Sequence, residues 1–350
     1  MNLIPATKSE WKEYFATCSA SSIYQDPRWL ELIETIYPGL TTHRLACLDD
    51  TKDLAWLLPL VGIKPLGSFK PMLISVPFGN YGGFIFPGQV DRPIYLKDLD
   101  PDPLKSFFSD HRADALEIRE IQKPLHEFPF DDQFKRFELS LTEPLDVLWN
   151  SVITGNARTG VRKADKNAVK IHFDHPRSLE IFKRIYEKNA AFHGTPIHKS
   201  GWFDTIKTLF HEETHILLAE HENQFVGAAL IFLYRGNAIL NSLATDPKSR
   251  NIPVSDKLVW ESIRLMKEKY SAEAYDFGRT RPDPGQLFFK RKWGGVESPI
   301  YYSYLLKTGR KAPRILPDNP KFKMGIKLWK ILPMFMTRRI GPILRPRIPT

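Results

Sequence analysis

Three groups of residues in this 350-residue chain have types and spacing suited to chemistry. The first surrounds a helix start, where Arg250 precedes Ser255 and Asp256. Free backbone N–H groups at such a start hold phosphate. Ser255 reads as the N-cap and Asp256 suits the positive end of the helix dipole; the plainer alternative is that Ser255 is a cap and nothing more. The second group is Arg158, Arg162, Lys163 and Lys166, whose roughly helical spacing puts several cations near one face. That face either grips a phosphate-bearing ligand or is simply solvated. The third is Asp276, Arg279 and Lys290. Asp276 falls at a strand end, where it accepts a proton, anchors an amine or pairs with Arg279. Arg279 and Lys290 are cations able to stabilise developing negative charge. His193, beside Gly194-Thr195-Pro196, is an acid/base group or a structural histidine. In Pro77-Phe78-Gly79-Asn80-Tyr81-Gly82-Gly83, the glycines either admit a substrate close to backbone or build a plain turn.

One motif points elsewhere. His211-Glu212-Glu213-Thr214-His215 spells the zinc-protease pattern. That chemistry needs both histidines on one face of a continuing helix. Here the helix is expected to end near His211, with His215 opening a strand, so no metal is expected. The two cysteines, Cys18 and Cys47, exclude a disulfide framework or a cysteine-rich zinc site and suit a reducing compartment. No Ser-His-Asp arrangement or phosphate-binding P-loop stands out.

The elements that must position these residues show a repeated order. Asp26-Pro27-Arg28-Trp29 gives an N-cap and a proline at the first helical position, and Trp29, Leu32, Ile33 and Ile36 recur at helical spacing. Apolar segments at Leu45–Leu48 and 54–63 follow, joined by a polar turn. Further on, a helix from Trp202 precedes strands at 216–219, 225–234 and 238–244. Then come a helix from Ser255, with Leu258, Val259, Ser262, Ile263, Met266 and Tyr270 on its buried face, and a strand at 274–277. The order describes an α+β protein rather than a regular βαβ repeat.

Charge separates a tail from the rest. The chain carries 50 Lys+Arg against 40 Asp+Glu, a net +10. Residues 311–350 hold ten of the cations against the single acid Asp318, a net +9, which leaves residues 1–310 near neutral. With 42% hydrophobic residues the body can bury a core, which excludes a disordered protein. A near-neutral body without a reading helix or aromatic platform argues against a nucleic-acid-binding module, so DNA is not expected as a partner and tRNA is not the favoured one. In the tail, prolines leave one helical stretch, 321–332, with Lys323, Lys327 and Lys330 in one arc and apolar residues including Trp329 around the rest. Such a helix packs on the body, lies on an anionic membrane surface through 321–347, or contacts RNA. The N-terminus lacks a secretory pattern, and no run of 18 apolar residues occurs. A cytoplasmic protein is expected, with the inner face of the membrane as a peripheral location.

The order of elements resembles the Gcn5-related N-acetyltransferase (GNAT) fold. Two such units in one chain resemble the FemAB-like aminoacyltransferases, the enzymes that form peptidoglycan interpeptide bridges. The stretch from Asn156 to Lys166, then Val169-Lys170-Ile171, resembles that family's basic helix opening the second unit. Tyr275-Asp276-Phe277-Gly278-Arg279-Thr280 and Phe289-Lys290-Arg291-Lys292-Trp293-Gly294 resemble its Asp-Phe-Gly and Phe-Lys-x-x-Trp-Gly segments. Pro77 to Gly83 looks like the first unit's glycine-rich turn. His193-Gly194-Thr195-Pro196 and Leu328-Trp329-Lys330-Ile331-Leu332-Pro333 resemble the branch encoded near exosortase (PEP-CTERM) and exopolysaccharide genes.

The resemblance implies tandem GNAT-like domains, 1–145 and 146–310, with mixed, largely antiparallel sheets flanked by helices, followed by a basic tail, 311–350. It implies transfer of an activated acyl group to an amine of a cell-envelope or polysaccharide precursor, without a covalent enzyme intermediate. Catalytic roles fall to Asp276, Arg279, Lys290 and His193, donor binding to Arg250, Ser255 and Asp256. Substrate contacts fall to Arg158, Arg162, Lys163, Gly79, Asn80, Tyr81 and Thr195. The donor is acyl-CoA or aminoacyl-tRNA, and the acceptor a small or lipid-linked amine. Where GNAT acetyltransferases carry Arg/Gln-x-x-Gly-x-Gly/Ala, this chain has Arg250-Asn251-Ile252-Pro253-Val254-Ser255. Pro253 and Ser255 replace the small residues that let backbone wrap a pyrophosphate. The alternatives are a non-catalytic envelope-assembly factor on the same scaffold and a tRNA-dependent enzyme.

Overall fold

A computed structural model describes residues 1–19, 22–66, 70–88, 99–121, 128–310 and 320–348. In chain order the elements are β1 (Asn2–Pro5), α1 (Lys8–Ala16), α2 (Pro27–Ile36), β2 (Thr41–Leu48), β3 (Leu54–Ile63), β4 (Met72–Ile74), α3 (Asp102–Asp110), β5 (Ala115–Glu120) and β6 (Phe130–Ser140). Then follow α4 (Gly155–Lys166), β7 (Lys170–Phe173), α5 (Ser178–His193), α6 (Trp202–Leu209), β8 (Thr214–His221), β9 (Gln224–Tyr234), β10 (Asn237–Thr245), α7 (Val254–Tyr270) and β11 (Ala274–Asp276). Last come α8 (Pro284–Arg291), β12 (Val296–Leu306), α9 (Pro320–Ile331) and α10 (Met334–Leu344).

Two compact units result. The first takes Met1–Phe134, a stretch beginning at Pro299 and the end of the chain from Ile343; the second takes Lys135–Ser298 and Pro320–Pro342. In the first unit the strands order β1-β2-β3-β4-β5-β12, antiparallel except at β4–β5. In the second they order β7-β8-β9-β10-β11-β6, antiparallel except at β10–β11. Among the described residues, and apart from the two-residue strands Cys18–Ser19 and Phe86–Pro87, the runs from β1 to β5 and from β7 to β11 both go strand, two helices, three strands, helix, strand. The repeat read from residue pattern is therefore a repeat of topology, in a mixed α+β fold.

Local chemistry explains why the elements form where they do. The Asp26 carboxylate accepts the Arg28 N–H at 3.0 Å, Pro27 opens α2, and Trp29, Leu30, Leu32, Ile33 and Ile36 are buried. Each such side chain contributes about 1.5–3 kcal/mol of transfer free energy. Strand β3 is almost wholly buried along its length, which suits its near-continuous apolar run. The second unit's core gathers Phe137, Leu217, Ile231, Leu258, Ile263 and Trp293 between its sheet and α7. One reading is corrected here: Ser255 is not the N-cap of α7. The helix begins at Val254 with Pro253 at the cap, without a side-chain cap, and Ser255 sits inside the first turn.

The tail has a defined place in the second unit. The inner face of α9 rests on α5 at Gly194, whose φ of +73° ends that helix. A Cβ at Gly194 would meet the Ile326 side chain at 2.7 Å and the Ile326 carbonyl at 3.0 Å, so glycine makes the seat for α9. Trp329 is buried, and Arg338 of α10 donates to Glu187 of α5 at 2.8 Å.

Candidate active site

The second unit ends β11 on a buried carboxylate. Asp276 is 1% exposed. Its Oδ1 accepts the Gly278 N–H at 2.6 Å and its Oδ2 accepts Arg136 Nε at 2.7 Å. Arg136 also pairs with Glu138, one strand over on β6, which faces β11 with Glu138 opposite Asp276. A carboxylate held by a backbone N–H and a guanidinium is a fixed anchor for the turn that follows it. Sequence reasoning singled out Asp276 and missed Arg136 and Glu138. Arg136 lies 140 residues upstream, and only strand register brings the two together.

Lys290 closes over that turn from α8. Its Nζ donates to the carbonyls of Phe277 at 2.5 Å, Gly278 at 2.9 Å and Arg279 at 3.2 Å. An ammonium has three protons, and three consecutive carbonyls take them. Burial pushes the Lys290 ammonium down to about 8; Asp276 opposes the shift and the Arg279 cation adds to it. The result is a cation with a lowered proton affinity, fixed beside the half-buried Arg279. The Trp-Gly end of the Phe-Lys-x-x-Trp-Gly segment is packing. Trp293 is fully buried, and Gly294, at φ +76°, lies where a Cβ would strike Val152.

The start of α7 is already neutralised. Lys292 Nζ donates to Asp256 Oδ1 at 2.5 Å, and burial raises the Asp256 carboxyl against the opposing pull of Lys292. The N–H groups of Val254 and Asp256 bond the Ile252 and Pro253 carbonyls, and proline supplies no N–H at all. Gly160 of α4 lets that helix approach the Asp256 side chain, which a Cβ there would strike. Lys292, which sequence reasoning did not select, also ties α4 down through its carbonyl, which accepts the Thr154 N–H and hydroxyl.

The basic helix divides by role. Arg158 donates from Nη1 to the carbonyls of Trp149, Asn150 and Ile153 at 2.7–2.9 Å, which closes the turn before α4. Arg158 is thus committed to backbone. Arg162 lies over the Trp149 ring at 5.9 Å, and Arg162, Lys163 and Lys166 are exposed.

His193, Thr195 and Arg250 form another group, at the C-terminal end of α5. The Thr195 N–H bonds the Ala190 carbonyl at 2.9 Å and completes the helix cap with Gly194. Arg250 sits 4.6 Å over the Phe192 ring. Local burial, then the Arg250 and Lys330 cations, hold the His193 imidazole below its ordinary range, although the residue keeps an exposed edge.

In the first unit the glycine-rich turn is buried. A Cβ at Gly79 would meet the Tyr24 ring at 2.8 Å, Asn80 Nδ2 donates to the Tyr24 hydroxyl at 2.9 Å, and Tyr81 is 1% exposed. Trp29 Nε1 donates to the Pro77 carbonyl, and Phe78 is held at φ +66°. Gly79, Asn80 and Tyr81 are therefore built into the core around Tyr24.

The zinc-protease spelling does not become a zinc-protease geometry. Helix α6 ends at Leu209, His211 lies in a turn and His215 is in β8. Burial pushes His215 down to about 4. Among the described residues no group of three metal-ligating side chains is present.

The fold has solved counterparts. The structure of FemX superposes with a TM-score of 0.63 at 15% identity, over 87% of this chain and 98% of that one. L-PGS from Bacillus licheniformis gives 0.55 at 10% identity, over 96% and 98%. A tandem GNAT protein from the clavulanic acid biosynthesis pathway gives 0.52 at 8% identity, over 89% and 99%. No protein-family model and no curated protein sequence matches the chain. The chain thus has a tandem GNAT-like, FemAB-like fold. At these identities the likeness is one of fold alone.

Proposed function

We propose that the protein is an acyl- or aminoacyltransferase that joins an activated acyl group to an amine of a cell-envelope or polysaccharide precursor, free or lipid-linked. The observation that carries this reading is the Asp276–Arg136 anchor with Lys290 clamped over the same turn. In the reaction the amine attacks the acyl carbonyl and the oxygen becomes an anion; its collapse forms the amide, breaks the donor's ester or thioester bond and expels the tRNA hydroxyl or CoA thiol, which takes up the proton the amine gives up. Lys290 and Arg279 supply positive charge at that turn, and Asp276 keeps its backbone in place. Positioning does the rest, and no covalent enzyme intermediate is needed.

Of the two donors, aminoacyl-tRNA is the better supported. The first turn of α7 is filled by Asp256, Lys292 and internal backbone bonds, which leaves little for the pyrophosphate of acyl-CoA. The exposed cations of α4 offer a place for a nucleic-acid backbone. The test is transfer in vitro, with purified chain, labelled aminoacyl-tRNA or acyl-CoA, and amine-bearing envelope precursors. Label should move from tRNA to the amine, and Lys290→Met should slow that transfer by about 10²–10³-fold. Transfer from neither donor, with no tRNA retained by native protein, would favour the non-catalytic assembly factor instead.

A further inference from the structure

The tail helix α9 is apolar on two sides, and among the described residues only one side is packed. Inward, Ile326 and Trp329 lie against the second unit, with Ile326 seated on Gly194. Outward, Met324, Leu328 and Ile331 are 66%, 55% and 76% exposed. Their spacing of four and three residues puts them on one stripe. Phe335, at the start of α10, is a further 66% exposed. Isolated exposed apolar residues are ordinary, but four large ones within twelve positions make a patch. From 320 to 342 the chain has six Lys and Arg and no Asp or Glu. Lys327, Lys330 and Arg339 among them are exposed.

We infer that this outer stripe seats the second unit on an anionic lipid bilayer. The chemistry matches that surface on two counts. Apolar side chains standing clear of a docked helix enter the boundary between headgroups and acyl chains. The surrounding cations, with no acid among them, meet the phosphates and reach them along their aliphatic stems. Because the inner face stays on α5 throughout, the body is held at the surface without the helix leaving it. Among the described residues no helix is long and apolar enough to cross a membrane, so the contact is with the surface. The inference does not depend on the transfer reaction, since a protein of any activity with this stripe would be held in the same way.

The test uses the full chain in vesicle flotation, with phosphatidylcholine alone and with a 3:1 mixture of phosphatidylcholine and phosphatidylglycerol. The chain should float with the anionic vesicles at low salt and much less with the neutral ones. The Leu328→Glu/Ile331→Glu pair should lower binding by about ten-fold or more. The Lys327→Gln/Lys330→Gln pair should lower it roughly five-fold per lysine on anionic vesicles only. Both sites are exposed, so unchanged thermal unfolding of the variants confirms that the fold is intact. No binding to anionic vesicles, or binding that the Leu328/Ile331 pair leaves untouched, overturns the inference. So does a dimer in solution that the Leu328/Ile331 pair dissociates, because a second copy would then cover the stripe.

Discussion

Each unit ends its fifth strand in the same topological place on an acid, and the two acids do different things. In the first unit Glu120 closes β5; its Oε1 accepts the Phe84 N–H at 2.6 Å, and Gly83 lies so close that a Cβ would strike it. Beside it Arg119, 1% exposed, donates to Glu117 at 2.8 Å and lies 5.0 Å from the Tyr302 ring. Burial raises the Tyr304 hydroxyl in the same cluster. In the second unit Asp276 holds a turn whose far side carries Arg279 and a clamped ammonium. Both places are ionic, but one is sealed among aromatic rings and the other keeps cations at its rim. Ionic residues at a strand end therefore do not by themselves mark chemistry.

The sharpest way to break this contrast is at Arg119. Arg119→Leu leaves the Glu117 carboxylate buried without its cation and should cost about 3–5 kcal/mol of stability, read as a lower midpoint in denaturant. A midpoint within about 0.5 kcal/mol of wild type would mean that the first unit's pair is not structural.

Next comes Lys290. Lys290→Met should lower transfer by about 10²–10³-fold, through loss of the positive charge at the turn and of the clamp on its three carbonyls. Its proton affinity sets the sign of the pH dependence. Below about 8 the ammonium is charged, so activity should be full there and fall as pH rises through that value. Lys290→Arg should move the alkaline limb upward. Activity that instead rises through pH 8 would make the neutral amine a base.

Glu120→Gln and Asp276→Asn are the matched pair. Each should cost about 1–3 kcal/mol in stability, but Asp276→Asn alone should also reduce transfer, by roughly ten-fold, through the loosened turn. Equal kinetic effects would erase the distinction between the two strand ends. Last, Arg162→Ala should change stability by less than about 0.5 kcal/mol while weakening tRNA retention, measured as a shallower salt dependence.

What could be read ahead of the structure was what local rules encode. The Asp26-Pro27 start of α2, the 54–63 strand and the three strands read between 216 and 244 follow from caps and apolar spacing, and the structure places them there. Asp276 and Lys290 stood out by residue type. Their partners did not, because Arg136 meets Asp276 only through the pairing of β6 with β11, and Lys292 meets Asp256 only after α8 has turned back. Helix α5 lacks a side-chain N-cap at Arg177, so its sequence announces chiefly its end, at His193-Gly194. Ser255 misled because its side chain is a good cap in general, while Pro253 and the Ile252 carbonyl had already set the helix start.

The way the units share the chain has a consequence for how the protein is made. Strand β5 is synthesised about a third of the way along, but its neighbour β12, with Tyr301 opposite Glu120 and Leu306 opposite Ala115, comes almost 200 residues later. On the ribosome the first unit therefore waits with one side of β5 uncovered until β12 has emerged. An open strand edge of that kind invites pairing with another nascent chain. Premature stop codons after the second unit's core should on this account give insoluble fragments rather than a smaller working protein.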